Sequence, residues 1–190
     1  MAVTDEREWT ASVLLSGGID SAACTAFYLS QGLSVQGYFV DYGQAAGQKE
    51  AVAARRVARH FAIPLTHLKL TTGRPKSAGL IAGRNAFLIF AVLQEMETPA
   101  GVIAIGVHSG TSYYDCSAGF ITRVRAIVEE YTDGAISVAS PFLDWTKREI
   151  WEFCVAKDVP LDLTYSCELG QEQPCGHCLS CKDLEALHAI

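Results

Sequence analysis

The chain has 190 residues, 49% hydrophobic and 19% charged, and a formal net charge of −6. This length and balance describe one globular α/β domain with a full-sized core and exclude a disordered chain. The acidic surplus argues against a nucleic-acid partner, since phosphate backbones attract basic faces.

Residues 1–10 read as a loose leader, and the polar, acidic stretch Met1 to Glu8 is no secretory signal. No apolar run reaches the roughly 18 residues that cross a membrane, so the expected location is cytoplasmic. Val13 to Ser16 is predicted as the first strand. It runs into Leu15-Ser16-Gly17-Gly18-Ile19-Asp20-Ser21, and a helix is predicted from Ser21 to Gln31. Two adjacent glycines let the backbone turn tightly and approach a ligand closely. Amides converging at a strand-to-helix turn, with the helix dipole behind them, suit an anionic phosphate. With no Lys after the glycines, the stretch is not a Walker A loop. The plainer alternative is a glycine turn capped by Asp20 or Ser21.

Val35 to Val40 is predicted as the second strand, ending at Asp41-Tyr42-Gly43-Gln44. A helix follows from Lys49 to Phe61, with Arg55, Arg56 and Arg59 outside and Val52, Val57 and Phe61 inside. Leu65 to Leu70 is the third strand, and Thr71 to Ala82 is a turn-rich loop. Gly83-Arg84-Asn85 opens an apolar helix over Ala86 to Glu95. Val102 to Val107 is the fourth strand, His108 to Gly119 a polar loop, and Phe120 to Tyr131 a helix. Ile136 to Ala139 is the fifth strand, leading to Ser140-Pro141-Phe142. Thr146 to Lys157 is helical, and Thr146 with Glu149 forms a capping-box pattern. The tail from Asp158 is irregular and cysteine-rich, with a short helix after Lys182.

Strands alternating with helices imply a Rossmann-like parallel sheet of about five strands covered on both faces. Ligands of such sheets bind beyond the carboxyl ends of the strands. The Gly-Gly loop, Asp41 to Gln44, His108 to Cys116 and Ser140 to Phe142 are therefore expected along one edge. The expected organisation is an α/β domain over residues 1–157 with a segment, 158–190, packed on it as one structural unit.

Seven cysteines need an explanation in a reducing compartment, where disulfides are rare. Cys167, Cys175, Cys178 and Cys181 have the spacing of a closed tetrahedral zinc site. His177 is an alternative ligand within the knuckle. With no open position such a Zn2+ is structural, fixing the tail, and Tyr165 and Ser166 with it, against the domain. Cys24 and Cys154 fall among apolar helix neighbours and read as core. Cys116 is open between a site residue and a buried one.

Together these features resemble a known family. Ser16-Gly17-Gly18-Ile19-Asp20-Ser21 is similar to the SGGxDS loop of the PP-loop ATP pyrophosphatases. Several further segments resemble one branch of that group, the 7-cyano-7-deazaguanine synthases of queuosine biosynthesis. They are Phe39 to Gln44, Gly83-Arg84-Asn85, Ile105-Gly106-Val107, Tyr114-Asp115-Cys116, Asp144 to Ile150, Leu163 to Cys167 and the cysteine tail. The resemblance implies an AMP-forming ligase that uses ATP, Mg2+ and Zn2+ to join 7-carboxy-7-deazaguanine and ammonia, passing through an acyl-adenylate and an amide to a nitrile. In that reading Leu15 to Ser21 bind ATP, Asp20 binds Mg2+, and Lys147 and Arg84 are cations near the phosphates or the carboxylate. Asp41, Tyr42, Gly43 and Gln44 line the nucleotide or acceptor pocket. Arg84, Asn85, Tyr114 and Asp115 meet the deazaguanine acid, with Asp115 accepting from its guanine-like edge. The family also implies a homodimer.

Some positions depart from the family pattern: Ala45-Ala46-Gly47 and Ser117-Ala118 stand where basic residues are usual, and no proline separates Tyr114 from Asp115. These lie on the acceptor side. A relative that adenylates such an acid and passes it to another nucleophile is thus a second reading, a tRNA-modifying PP-loop enzyme a third, and a non-catalytic nucleotide-binding scaffold a fourth.

Overall fold

A computed structural model of the chain describes residues 9–70, 76, 79–108, 110 and 112–188. The expected leader through residue 8 and most of the expected turn-rich loop from 71 to 82 lie outside the described residues. The elements in chain order are β1 (Thr10–Leu14), α1 (Ile19–Ser30), β2 (Ser34–Asp41), α2 (Gly47–His60), β3 (Leu65–Lys69), α3 (Arg84–Glu95), β4 (Gly101–Ala104), α4 (Ala118–Tyr131), β5 (Ile136–Ala139), α5 (Lys147–Ala156) and α6 (Leu179–His188). Short 3-10 turns lie at Tyr114–Cys116 and Leu161–Leu163. Among the described residues, no helix is long and apolar enough to cross a membrane.

All five strands pair in parallel in the order β3-β2-β1-β4-β5. Thr10 aligns with Ser34 on one side and Gly101 on the other. The chain works outward from β1 to β3, then returns to place β4 against β1. The order therefore reverses between β1 and β4, which is where such a sheet opens a crevice. The loops after these two strands are the Gly-Gly loop and the segment from Ile105 onward.

Both faces of the sheet are covered. Val13, Leu15 and Phe39 bury against α1, α2 and α5 through Ala22, Val57 and Ile150. Leu14, Tyr38 and Ile103 bury against α3 and α4 through Ile89, Val92, Val124 and Val128. Successive side chains of a strand point to opposite faces. A doubly covered strand is then buried at successive positions, which explains the unbroken apolar run Val13 to Leu15.

Several boundaries differ from the sequence expectation. β1 starts at Thr10 and ends at Leu14, because after Leu15 N–H donates to the Tyr38 carbonyl (2.9 Å) the chain leaves the ladder for the loop. β4 stops at Ala104 because the backbone passes over Asp20: a Cβ on Gly106 would lie 2.8 Å from the Asp20 carbonyl oxygen. The inner face of α2 is built from Ala51, Ala54, Val57 and Ala58, while Val52 is exposed. Those small residues let α2 lie close to the loop after β1. α6 begins three residues before Lys182, whose N–H donates to the Cys178 carbonyl (3.1 Å).

The start of α5 is fixed twice. Thr146 Oγ1 accepts from Glu149 N–H (3.3 Å) and Glu149 Oε2 accepts from Thr146 N–H (2.6 Å), completing the capping box the sequence predicted. Just before it, Phe142 is wholly buried among Phe27, Trp145 and Phe153, with ring centroids 5.9, 5.0 and 5.7 Å away. Phe142→Ala is expected to cost about 3–5 kcal/mol, the usual range for emptying an aromatic from a core. Denaturant unfolding measures it.

Candidate active site and cysteine cluster

A cavity of about 300 Å³ opens at the carboxyl edge of the sheet. Its centre is the loop between β1 and α1. Gly17 has φ +83°, and a Cβ there would sit 2.5 Å from the Ala54 nitrogen and 2.8 Å from the Glu50 carbonyl oxygen. Only glycine satisfies both the left-handed backbone and the close approach to α2. α1 starts at an extended Gly18 with no side-chain cap, so neither Asp20 nor Ser21 caps it. Ser21 Oγ donates instead to the Gly18 carbonyl (2.9 Å), and Gly18 N–H donates to Ser16 Oγ (3.3 Å). The first amides of α1 have no side-chain acceptor, and with the dipole behind them they form an anion site.

Asp20 is where three strand-end segments converge. Lys147, the first residue of α5, donates to both of its carboxylate oxygens, at 2.5 and 2.7 Å. His108 lies on its other side, Nε2 4.0 Å from Oδ2. Gly110 N–H donates to His108 Nδ1 (3.0 Å), so Nδ1 is an acceptor and the proton of the neutral ring sits on Nε2, facing Asp20. Burial lowers the His108 pKa, and the Lys147 charge acts the same way against the opposing pull of Asp20 and Asp183.

The other end of the cavity is built around Gln44 and Arg84. Gln44 Oε1 accepts from Tyr42 N–H (2.9 Å), and its amide donates to the Val40 carbonyl (3.2 Å) and Glu50 Oε2 (2.9 Å). Burial raises the Glu50 pKa, against the Gln44 hydrogen bond and the Arg84 charge. Arg84 Nε donates to Asn85 Oδ1 (3.1 Å). Asn85 in turn donates from its backbone to Asp115 Oδ2 (3.3 Å) and from its side chain to the Asp115 carbonyl (2.9 Å).

Among the residues named from sequence, Ser16, Gly18, Ile19, Asp20, Ser21, Tyr42, Gln44, Arg84, Asn85 and Lys147 all line this cavity. The others do not. Leu15 is core and Gly17 is pressed on α2. Asp41 accepts from Gly43 N–H (3.1 Å) to close its own turn. Tyr114 is 62% exposed, edge-on to Phe120. Asp115 is buried behind Asn85, with Oδ1 lacking a hydrogen-bond partner. Ser140 supports the edge from behind, donating to the Val107 carbonyl (2.6 Å), and Phe142 is core. Cys116 lines the cavity and is buried as well, its thiol pKa raised by burial.

The cavity also takes His108, which the sequence placed only as the start of a strand-end loop, and Glu50 and Glu168, which it did not single out. His108 directly follows the predicted fourth strand, and Glu168 follows Cys167 of the four-cysteine cluster; those positions were the available signals.

The four tail cysteines converge. Their Sγ atoms all lie within 4.8 Å of one another, and Cys175 and Cys181 are 3.9 Å apart. A tetrahedron of thiolates about 2.3 Å from zinc has S–S edges of about 3.8 Å, so the set fits that ion. His177 turns away, its Nδ1 2.8 Å from the Cys175 carbonyl. The tail clamps the loop: Tyr165 N–H donates to the Gly17 carbonyl (2.9 Å), and a Cβ on Gly170 would lie 2.4 Å from the Ala45 carbonyl oxygen. Ala45 and Ala46, which the sequence comparison put on the acceptor side, lie under the tail. Cys24 and Cys154 are buried core thiols as expected, both raised by burial, Cys154 to about 12.

Comparison with known proteins shows the family to which the chain is similar. The family model described as "Queuosine biosynthesis protein QueC" matches residues 10–79 and 75–188. The 7-cyano-7-deazaguanine synthase of Acidobacterium capsulatum is 31% identical over 210 residues, covering 94% of this chain and 91% of that protein. That of Desulfotalea psychrophila is 29% identical over 196 residues, 90% of each. A solved structure from Methanocaldococcus jannaschii, described as a predicted subunit of tRNA methyltransferase, superposes with a TM-score of 0.53 at 14% identity. It covers 78% of this chain and 76% of that one, a likeness of fold.

Two outcomes are expected. Cys181→Ser lowers zinc from one per chain to well under half, read by plasma mass spectrometry, and thermal stability falls with it. Long-range 1H–15N spectra show His108 as the Nε2–H tautomer with a titration midpoint below about 6.5, because burial penalises its charged form.

Proposed function

The chain belongs to the QueC family of queuosine biosynthesis proteins, and from that premise we propose that it is an AMP-forming ligase converting 7-carboxy-7-deazaguanine and ammonia to 7-cyano-7-deazaguanine. The observation that carries this reading is the Asp20–Lys147 pair at the uncapped start of α1. An anion site, a carboxylate and an ammonium in one cavity are what cleavage between the α- and β-phosphates of ATP requires.

In this reading the phosphates lie over the loop Ser16 to Ser21 and take the first amides of α1. Asp20 would hold Mg2+, which usually binds through one or two carboxylates plus phosphate oxygens and neutralises their charge. Lys147 adds a cation on the same side. Arg84, steadied by Asn85, presents its guanidinium to the substrate carboxylate. A carboxylate oxygen attacks the α-phosphorus, the bond to the bridging oxygen breaks, and pyrophosphate leaves with that electron pair. Ammonia then attacks the acyl carbon, AMP leaves, and a proton passes to solvent. A second ATP adenylates the amide oxygen with release of a second pyrophosphate, and loss of both protons from nitrogen expels AMP to leave the nitrile. Burial of Asp115 with an unpartnered Oδ1 supports a polar role for it behind Asn85. The four-cysteine cluster would hold Zn2+ as a structural ion. A cytoplasmic homodimer completes the reading.

Pyrophosphate release is expected only when the deazaguanine acid is present, with a nitrile product by mass when ammonium is added. Cleavage without nitrile assigns another nucleophile, dependence on tRNA assigns RNA modification, and no cleavage leaves a binding scaffold. Asp20→Asn is expected to cut cleavage by about 100-fold or more while zinc stays at one per chain. Loss of zinc along with cleavage overturns the separation of the two sites.

A further inference from the structure

The tail does more than clamp the loop. Tyr165, Ser166, Glu168, Ser180 and Asp183 all line the main cavity. Glu168 directly follows the ligand Cys167, and Ser180 directly precedes the ligand Cys181. These neighbours are also bonded to each other: Glu168 Oε1 accepts from Ser180 N–H (3.3 Å) and Ser180 Oγ (3.0 Å). The two chain segments that the cysteine cluster joins are thus joined a second time, one residue further on, by a carboxylate. Both bonds use one oxygen, so the orientation of the group is set while Oε2 stays outside the clamp.

The Glu168 charge is felt by Tyr42 and Glu50, which also feel Arg84. Glu168 lines the same cavity as Tyr42, Glu50 and Arg84. That cavity lacks the acceptor the sequence assigned to it. Asp115 does not line the cavity, and its carbonyl and Oδ2 are spent on Asn85. Glu50 is tied to Gln44 through Oε2, and burial disfavours its charged form. Asp183 acts on His108.

We propose that Glu168 is a specificity-determining residue whose carboxylate accepts the adjacent N–H donors of a 2-aminopyrimidinone edge, so that the metal-held tail reads the substrate. The proposal rests on the reading of the substrate as a deazaguanine acid. Such an edge offers a ring N–H and an exocyclic amine side by side, and an oriented carboxylate is the matching acceptor. A site built to bond an N–H group rejects an analogue without it, because the acceptor is left unpaired.

The test is a cycle of two ligands and two proteins. Calorimetry measures binding of 7-carboxy-7-deazaguanine and of the analogue without the 2-amino group, to wild type and to Glu168→Gln. Gln keeps the shape and replaces an acceptor oxygen with a donor. Wild type is expected to prefer the full acid by about 100-fold, and Glu168→Gln by less than about 5-fold, with zinc content unchanged. Should Glu168→Gln fail to fold, Ser180→Ala removes the hydroxyl bond to Oε1, leaves the backbone N–H bond, loosens the carboxylate without altering it, and is expected to reduce the preference about 10-fold. Equal discrimination by variant and wild type overturns the proposal, as does a wild type that binds both acids alike. A wild type that binds neither acid fails the substrate reading itself, and the proposal with it.

Discussion

Asp20 and Lys147 are separated by 127 positions in the chain and by 2.5 Å in the fold. Each depends on a different part of the molecule. Asp20 is carried by the loop after β1, which exists only because Gly17 can press against α2 and Gly106 can pass beneath it. Lys147 is carried by the capped start of α5, which stands on Phe142 and its aromatic neighbours. The pair closes only if the reversal between β1 and β4, the α5 side of the core and the two glycines are all correct. Both side chains are about a quarter exposed, so the pair is worth little as a stabilising contact. Its value is geometric, placing opposite charges at an anion site.

A parallel sheet covered on both faces was readable from the chain because apolar runs, glycine turns and helix signals alternate in strict order. The capping box at Thr146 was readable because a local motif involves no distant residue. So were the four cysteines, whose spacing is itself the chemistry. Asp115 was misread as a wall of the cavity because a loop Asp looks the same whether it faces a ligand or braces a neighbour, and here it braces Asn85. His108, Glu50 and Glu168 carry no motif, and their importance comes from which loops the topology brings together. Val52 was assigned inward by helical spacing alone. The close approach of α2 to the Gly-Gly loop favours alanines on that face instead.

The cysteine tail changes what the cavity is made of. A sheet edge and three loops would leave one side open. Tyr165, bonded to the Gly17 carbonyl, closes it next to the Gly-Gly loop, and α6 continues the wall past Ser180 to Asp183. Tail residues thus wall the cavity although the segment from Asp158 to Cys178 has little regular structure of its own.

Lys147 is the first residue of α5, at the positive end of that helix's dipole, where an ammonium is disfavoured and a carboxylate would be welcome. The fold tolerates this because Asp20 lies opposite and Glu149 occupies the same turn. Position 147 is therefore a recorder of use. If position 147 did not have to meet Asp20, an acidic residue there would suit the helix dipole better, so an acidic residue at this one site in a copy of the chain would mark the loss of the pair.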